Sequence, residues 1–250
     1  MCGRYGLRSD KQHIATAFYA KKINPKVILA PNYNVPPSTF LPVIRLDEEG
    51  DRELTLLRWG IVPFYSKDDE AAFKITNARA ETVATLPAFR EAFRKRHCIV
   101  PADWFYEWQG LDPERRHKRG QLRVGTESYS AWLVYGRART NPATKEPLET
   151  FTIITTEPNE IMQPIHTRMP VILRPEDYGR WLETPDPAGL PTDLLRPSLL
   201  ELEAWRVGKA VGSVRNNGPE MCESWSDGPC SSLSLLPDVQ EQAALRRLRL

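Results

Sequence analysis

Cys2 offers unusual chemistry because of where it stands. Loss of Met1 would leave an α-amine and a thiol on one residue, a 1,2-aminothiol. These groups have reference pKa values of roughly 7.7–8 and 8.5, so both reactive forms are accessible near neutral pH. The amine can attack an aldehyde to give a Schiff base, and the thiol can then close a five-membered thiazolidine ring on the same carbon. Closure is intramolecular, and well-oriented intramolecular reactions reach effective molarities on the order of 10⁵ M or more. A Cys at position two is incidental in most chains, so this reading depends on the residues that accompany it.

Three further segments carry groups that could serve such a reaction. Thr76-Asn77-Ala78-Arg79-Ala80-Glu81-Thr82 alternates polar and small residues, so an extended backbone would turn Asn77, Arg79 and Glu81 to one face. An amide can fix a sugar hydroxyl or a carbonyl, and an Arg can orient a carboxylate or hold a phosphate. The same pattern suits a solvated strand with a surface ion pair. Glu107 lies in the aromatic run Trp104-Phe105-Tyr106-Glu107-Trp108, where partial burial would tune it for general acid–base work and a wet strand face would leave it in water. His166 and Arg168 stand two apart between Pro164 and Pro170, a rigid setting for a proton shuttle, although a lone His is more often structural.

The elements that must hold these residues can be read from pattern. Ser9-Asp10-Lys11-Gln12 has the Ser-x-x-Gln form of a capping box, and Ile14, Ala17 and Phe18 recur at helical spacing, which predicts a helix over 10–20. Leu41–Leu46 and Leu54–Trp59 flank Asp47-Glu48-Glu49-Gly50-Asp51 and predict a hairpin. From Pro87, Phe89, Ala92 and Phe93 share one helical face, with Arg90, Arg94 and Lys95 on the other. A short helix over 175–182 is expected after a strand over 171–173. His97–Pro101, Trp104–Gln109, Tyr129–Gly136 and Phe151–Thr155 are β-branched and aromatic, so the middle of the chain reads as sheet. Arg115-Arg116-His117-Lys118-Arg119 reads as an exposed loop tip. Helices and strands without regular β-α-β alternation predict the α+β class. Residues 1–218 are expected to form one domain, and the Ser-, Gly- and Pro-rich stretch from 219 a partly ordered tail to 250.

Composition sets outer bounds. The 250 residues carry 34 Lys and Arg against 32 Asp and Glu, a net charge of +2, so bulk charge does not mark a nucleic-acid binder. A hydrophobic share of 41% and a charged share of 26% describe a globular protein able to bury a core without disulfides. No apolar stretch is long enough to span a bilayer and no apolar leader follows Met1, so a cytoplasmic, reducing setting with no membrane partner is expected. Cys2, Cys98, Cys222 and Cys230 form no CxxC pair, and neither a metal nor an organic cofactor is expected.

Met1-Cys2-Gly3-Arg4-Tyr5, Asn32-Tyr33-Asn34-Val35-Pro36-Pro37, Arg58-Trp59-Gly60-Ile61-Val62-Pro63, the 76–82 segment, Pro101-Ala102-Asp103 with Phe105-Tyr106-Glu107-Trp108, Phe151–Thr156, and Ile165-His166 with Arg168-Met169-Pro170 follow one another in an order that resembles the SOS-response-associated peptidase (SRAP) family of abasic-site processing proteins. The resemblance runs over roughly 1–217. It implies mixed, largely antiparallel sheets forming a barrel-like core flanked by short helices. It also implies a covalent suicide reaction with the ring-opened aldehyde of an abasic site in single-stranded DNA, particularly near a single-strand/duplex junction, by a monomer associated with the nucleoid when acting. Carried over by motif, Cys2 captures the aldehyde, Asn77 positions the opened sugar or the cysteine, Glu107 manages protons around the α-amine, and His166 assists ring opening. Arg4, Arg79 and Arg168 would grip phosphates, while Asn34, Trp59 and Thr155 would line the groove. The chain departs from the family pattern at Trp104, where Gly is expected, at Phe64-Tyr65, where Trp is common, and at Ala131–Gly136. Two other readings are a thiol-dependent peptidase using the same Cys2 and a noncovalent single-strand binder that does not use it.

Overall fold

The computed structural model describes residues 2–63, 75–110, 119–125, 134–135, 139–140, 147–183, 189–200 and 202–224. The loop tip 115–118, most of 129–136, the Phe64-Tyr65 departure and the tail beyond 224 lie outside the described residues. The strands are β1 (Tyr5–Leu7), β2 (Lys22–Ile23), β3 (Asn32–Val35), β4 (Phe40–Leu46), β5 (Arg52–Trp59), β6 (Asn77–Arg79), β7 (Cys98–Ile99), β8 (Trp104–Gly110), β9 (Arg119–Gly125), β10 (Val134–Tyr135), β11 (Arg139–Thr140), β12 (Pro147–Leu148), β13 (Thr150–Thr156), β14 (Met169–Pro170) and β15 (Glu203–Val207). The α-helices are α1 (Lys11–Ala17), α2 (Arg90–Lys95) and α3 (Tyr178–Leu182).

One sheet runs β15-β9-β8-β1-β3 and is antiparallel throughout. The second runs β10-β13-β5-β4-β7, with β6 and β14 added to β13 and β2 added to β5. Its β13–β5, β13–β6 and β2–β5 pairs are parallel, so the fold is the expected α+β mixture of largely antiparallel sheets and short helices. Among the described residues the two sheets stay open and do not close into a barrel.

The β4–β5 hairpin forms as predicted, with Leu41 opposite Leu57 and Ile44 opposite Leu54. Its turn is held by Asp47, whose carboxylate accepts from the amides of Glu49 and Asp51, and by Gly50 at φ +82°, a conformation that favours glycine. Helix α1 starts one residue later than a Ser9 cap would place it. Asp10 caps it instead, accepting from the amides of Gln12 and His13, because the amide and hydroxyl of Ser9 are taken by Asp103. Helix α2 begins at Arg90 after a run of turns, burying Ala92 and Phe93 as expected.

Every residue of β13 is buried although four of its seven are Thr. The Thr150 hydroxyl accepts from the Val62 amide, and those of Thr152, Thr155 and Thr156 donate to backbone carbonyls, so no buried hydroxyl in this strand is left unmatched. This strand is the spine on which β6 and β14 place Asn77, Arg79 and the end of the His166 loop.

Trp104, the departure from the expected Gly, is buried beside Tyr33, Tyr106 and Met221 in a small aromatic core on the outer side of the first sheet. Its ring lies where a side chain at Gly6 would stand: a Cβ there would come within 2.0 Å of Trp104 Cε2. Gly6→Ala is therefore expected to cost roughly 1–3 kcal/mol through overpacking, seen as a lower urea midpoint. Trp104→Gly placed in the same chain should recover part of the Gly6→Ala effect.

Candidate active site

Strand β1 is sandwiched between β3 and β8, with Tyr5 opposite Val35 and Phe105 and Gly6 opposite Trp104. The Tyr106 amide donates to the Arg4 carbonyl at 2.9 Å. Carried toward the chain start, this register lays the first residues alongside Glu107. Cys2 is buried, 1% exposed, and its thiol donates to the Arg4 carbonyl at 4.0 Å. Burial, and after it the charge of Glu107, pushes the Cys2 thiol well above the ordinary thiol range. Near neutral pH the sulfur is a neutral thiol, a late partner in any addition rather than the first nucleophile.

Glu107 is 2% exposed and faces the core side of β8 rather than water. Its Oε1 lies 3.7 Å from Nε2 of His166, which comes from the loop between β13 and β14. The other ring nitrogen, Nδ1, accepts from the Arg168 amide at 3.0 Å and also sits 3.2 Å from the Arg168 carbonyl. In the neutral ring the amide bond fixes Nδ1 as acceptor, so the proton is on Nε2 and points at Glu107; in the protonated ring Nδ1 can donate to the carbonyl. The imidazole can thus gain and lose a proton without turning. Gln109 ties this loop to β8 by donating from Nε2 to the Pro164 carbonyl at 2.9 Å. Asn159 anchors its start, with Oδ1 accepting from the Met162 amide and Nδ2 donating to the Ser198 carbonyl. Neither Gln109 nor Asn159 is singled out by sequence reasoning. The signal was an Asn opening a turn directly after Glu157-Pro158.

Asn77 begins β6 opposite Ile153. Its Nδ2 donates to Thr76 Oγ1, while Oδ1 is buried without a hydrogen-bond partner among the described residues, an acceptor held ready for an N–H or O–H. Trp59 supports this position from beneath: it is fully buried, its Nε1 donates to the Thr76 carbonyl at 2.9 Å, and its ring packs between Tyr5 and Phe151. Trp59 and Thr155 are each 0% exposed and Asn34 1%, so none offers side-chain surface to line a groove. Their polar atoms bond to internal partners.

Arg4 and Asn34 form a second network on the opposite side of β1. Arg4 is 9% exposed; its Nη1 donates to Asn34 Oδ1 at 2.7 Å and to the Val211 carbonyl at 3.1 Å, and the guanidinium lies 5.9 Å over the Trp108 ring. Burial lowers its pKa, as expected for a cation taken from water. Nδ2 of Asn34 donates to the carbonyls of Val211, Ser213 and Asn216. Residues 208–222 are thereby strapped across the sheet, and Tyr106 Oη and Trp205 Nε1 fasten the end of the strap to the carbonyls of Met221 and Cys222. Residues 219–222, assigned from sequence to the tail, close this aromatic core. Asn34→Ala removes four hydrogen bonds, one of them charge-assisted, and is expected to cost about 3 kcal/mol in a urea melt.

Of the three arginines expected at phosphates, Arg79 is exposed, whereas Arg4 is held within the fold as described. Arg168 makes a bidentate pair with Glu81, at 2.6 and 3.0 Å, and also donates to the Thr155 carbonyl. The pair holds the Glu81 carboxyl below the usual carboxylate range. Glu81 is not on the strand with Asn77 and Arg79: β6 ends at Arg79, the chain turns at Ala80, and Glu81 meets Arg168 from that turn.

The structure thus gathers Cys2, Glu107 and His166, while Asn77 follows Thr76, whose carbonyl Trp59 holds. Comparison with known proteins bears on the chain as a whole. The sequence profile described as SOS response associated peptidase (SRAP) matches residues 1–214. The chain is 40% identical over 227 residues to the abasic site processing protein YoqW of Bacillus subtilis (strain 168), covering 90% of this chain and 100% of that one. It is 32% identical over 222 residues to the abasic site processing protein HMCES of Gallus gallus, covering 76% of this chain and 65% of that one. A crystal structure of a protein from Bacteroides thetaiotaomicron matches with a TM-score of 0.76 at 25% identity, over 90% of this chain and 100% of that chain. The profile match runs over residues 1–214, most of the chain and the segments that carry Cys2, Asn77, Glu107 and His166, and the chain belongs to the SOS response associated peptidase family.

Proposed function

We propose that this protein handles abasic sites in DNA by forming a covalent link, in which Cys2, freed of Met1, captures the ring-opened aldehyde as a thiazolidine. The observation that carries the reading is the placement of Cys2 beside a buried carboxylate, Glu107, that itself faces an imidazole at 3.7 Å. A buried base next to an α-amine and a proton shuttle next to that base are what imine chemistry requires. The names of the relatives, abasic site processing proteins, support the substrate class.

The order of events follows from the thiol. A neutral sulfur leaves the first attack to the amine, with Glu107 taking the amine's proton and His166 relaying protons to and from the opening sugar. The sulfur then adds to the C=N carbon, its proton passes to nitrogen, and one water has been lost overall. Before closure the same imine permits β-elimination, the lyase branch of the reading. A peptidase using Cys2 is the weaker alternative, because attack on an amide needs a thiolate and burial here opposes one. For the DNA strand, exposed Arg79 is the first phosphate contact, and Arg168 joins it when phosphate replaces Glu81 at the guanidinium.

The test is intact-mass analysis after mixing the protein with a single-stranded oligonucleotide bearing one abasic site. The expected species has the mass of the protein without Met1 plus the DNA, less one water. Recovery of only unmodified protein, its N-terminal Cys2 verified, overturns the reading.

A further inference from the structure

We propose that the hydroxyl of Tyr5 is a further catalytic group, a neutral hydrogen-bond donor to the aldehyde oxygen while the amine of Cys2 adds to the carbonyl; this rests on the function proposed above. Three observations place it there. Tyr5 pairs with Phe105 across β1 and β8, so the pleat puts Tyr5 and Glu107 on the same face of the sheet as diagonal neighbours. The Tyr5 ring packs at 5.4 Å against Trp59, whose indole nitrogen holds the Thr76 carbonyl just before Asn77. Finally, Tyr5 is 0% exposed and its hydroxyl has no hydrogen-bond partner among the described residues.

A buried hydroxyl without a partner is costly, and such atoms persist where a ligand or reacting group completes them. Asn77 Oδ1 is unmatched in the same way, so a donor and an acceptor stand unmet on the two sheets that flank the cysteine. Burial raises the Tyr5 phenol well above its ordinary range, which keeps it a neutral donor.

The step balances as follows. The amine lone pair forms the C–N bond, and the C=O π pair moves to oxygen, where the Tyr5 O–H stabilises the growing negative charge. Both protons of the attacking amine pass in turn through Glu107 to that oxygen, and the C–O bond then breaks to release water and leave the neutral imine. Tyr5 keeps its own proton and is unchanged at the end. Its role ends once the imine exists, because ring closure by sulfur involves no carbonyl oxygen.

Tyr5→Phe tests this with an abasic single-stranded oligonucleotide, following borohydride-trapped imine and heat-stable adduct separately, with thermal melting alongside. Removing one oxyanion donor is expected to slow imine formation about 10²-fold. Conversion of imine to stable adduct should be unchanged, and the melting temperature should be equal or higher. Imine formation as fast as in the wild type overturns the assignment, as does a slowing that accompanies a lower melting temperature and affects both steps alike. A wild-type protein that forms neither imine nor adduct brings down the covalent reading itself, and the Tyr5 role with it.

Discussion

Cys2→Ala is expected to abolish the heat-stable protein–DNA species entirely while leaving a species that borohydride can trap. Alanine at position two keeps the α-amine once Met1 is removed, so an imine still forms, but no sulfur is present to close the ring. The loss should exceed that of any other single substitution, since ring closure draws on an effective molarity on the order of 10⁵ M that no external thiol can match. Denaturing gels with and without reductant read both outcomes. A stable species from Cys2→Ala without reductant would rule out the thiazolidine. An N-terminal extension that retains Met1 should lose both species, because the amine is then an amide.

Glu107→Gln has the second-largest expected effect. The substitution keeps the shape of a side chain that is 2% exposed but removes the base beside the amine and the anion facing His166. Imine formation should fall by roughly 10²–10⁴-fold, the usual range for a positioned acid–base group. A second effect has a fixed sign. Glu107 is the second cause, after burial, of the raised Cys2 thiol, so removing its charge must lower that pKa and bring the thiolate in at lower pH. Titration of thiolate ultraviolet absorbance, compared between wild type and Glu107→Gln, reads this directly; an unmoved or upward-shifted titration would mean that Glu107 does not act on Cys2. The same raised thiol is a stability statement. Its contribution is present below the unfolded thiol's pKa and is lost as pH rises above it.

The elements with strong local patterns were legible in the sequence, and the contacts between distant segments were not. The β4–β5 hairpin and the buried faces of α2 follow from alternation and helical spacing, and both form. Glu107 looked ambiguous because an aromatic strand can be wet on either face; only the packing of β8 against the second sheet decides that it is buried. Ser9 satisfied the capping pattern, yet Asp103, 94 residues away, claims its hydroxyl and shifts the cap to Asp10. The resemblance places Asn34, Trp59 and Thr155 along a groove and the fold buries all three; a residue that holds a site in place and a residue that touches its ligand leave the same trace in a motif. Tyr5 closes the first motif, yet nothing in the sequence marks its hydroxyl, because a tyrosine in a short strand is ordinary until that hydroxyl proves to be unmatched.

The strap of residues 208–222 over Arg4 and Asn34 has a consequence for how the protein is made. The first strand needs β3, then β8, then the strap before its surroundings are complete, so the two ends of the chain must meet before the chain's start is fully enclosed. During translation at roughly 5–20 residues per second, the first strand lacks its β8 partner for at least about 5–20 s while the chain extends that far. On the function proposed above, an aminopeptidase that removes Met1 finds an extended terminus in that interval, whereas in the finished fold Cys2 is 1% exposed. On that reading the reactive amine is made before the pocket that confines it, and the strap is the last segment laid over the strand that carries it.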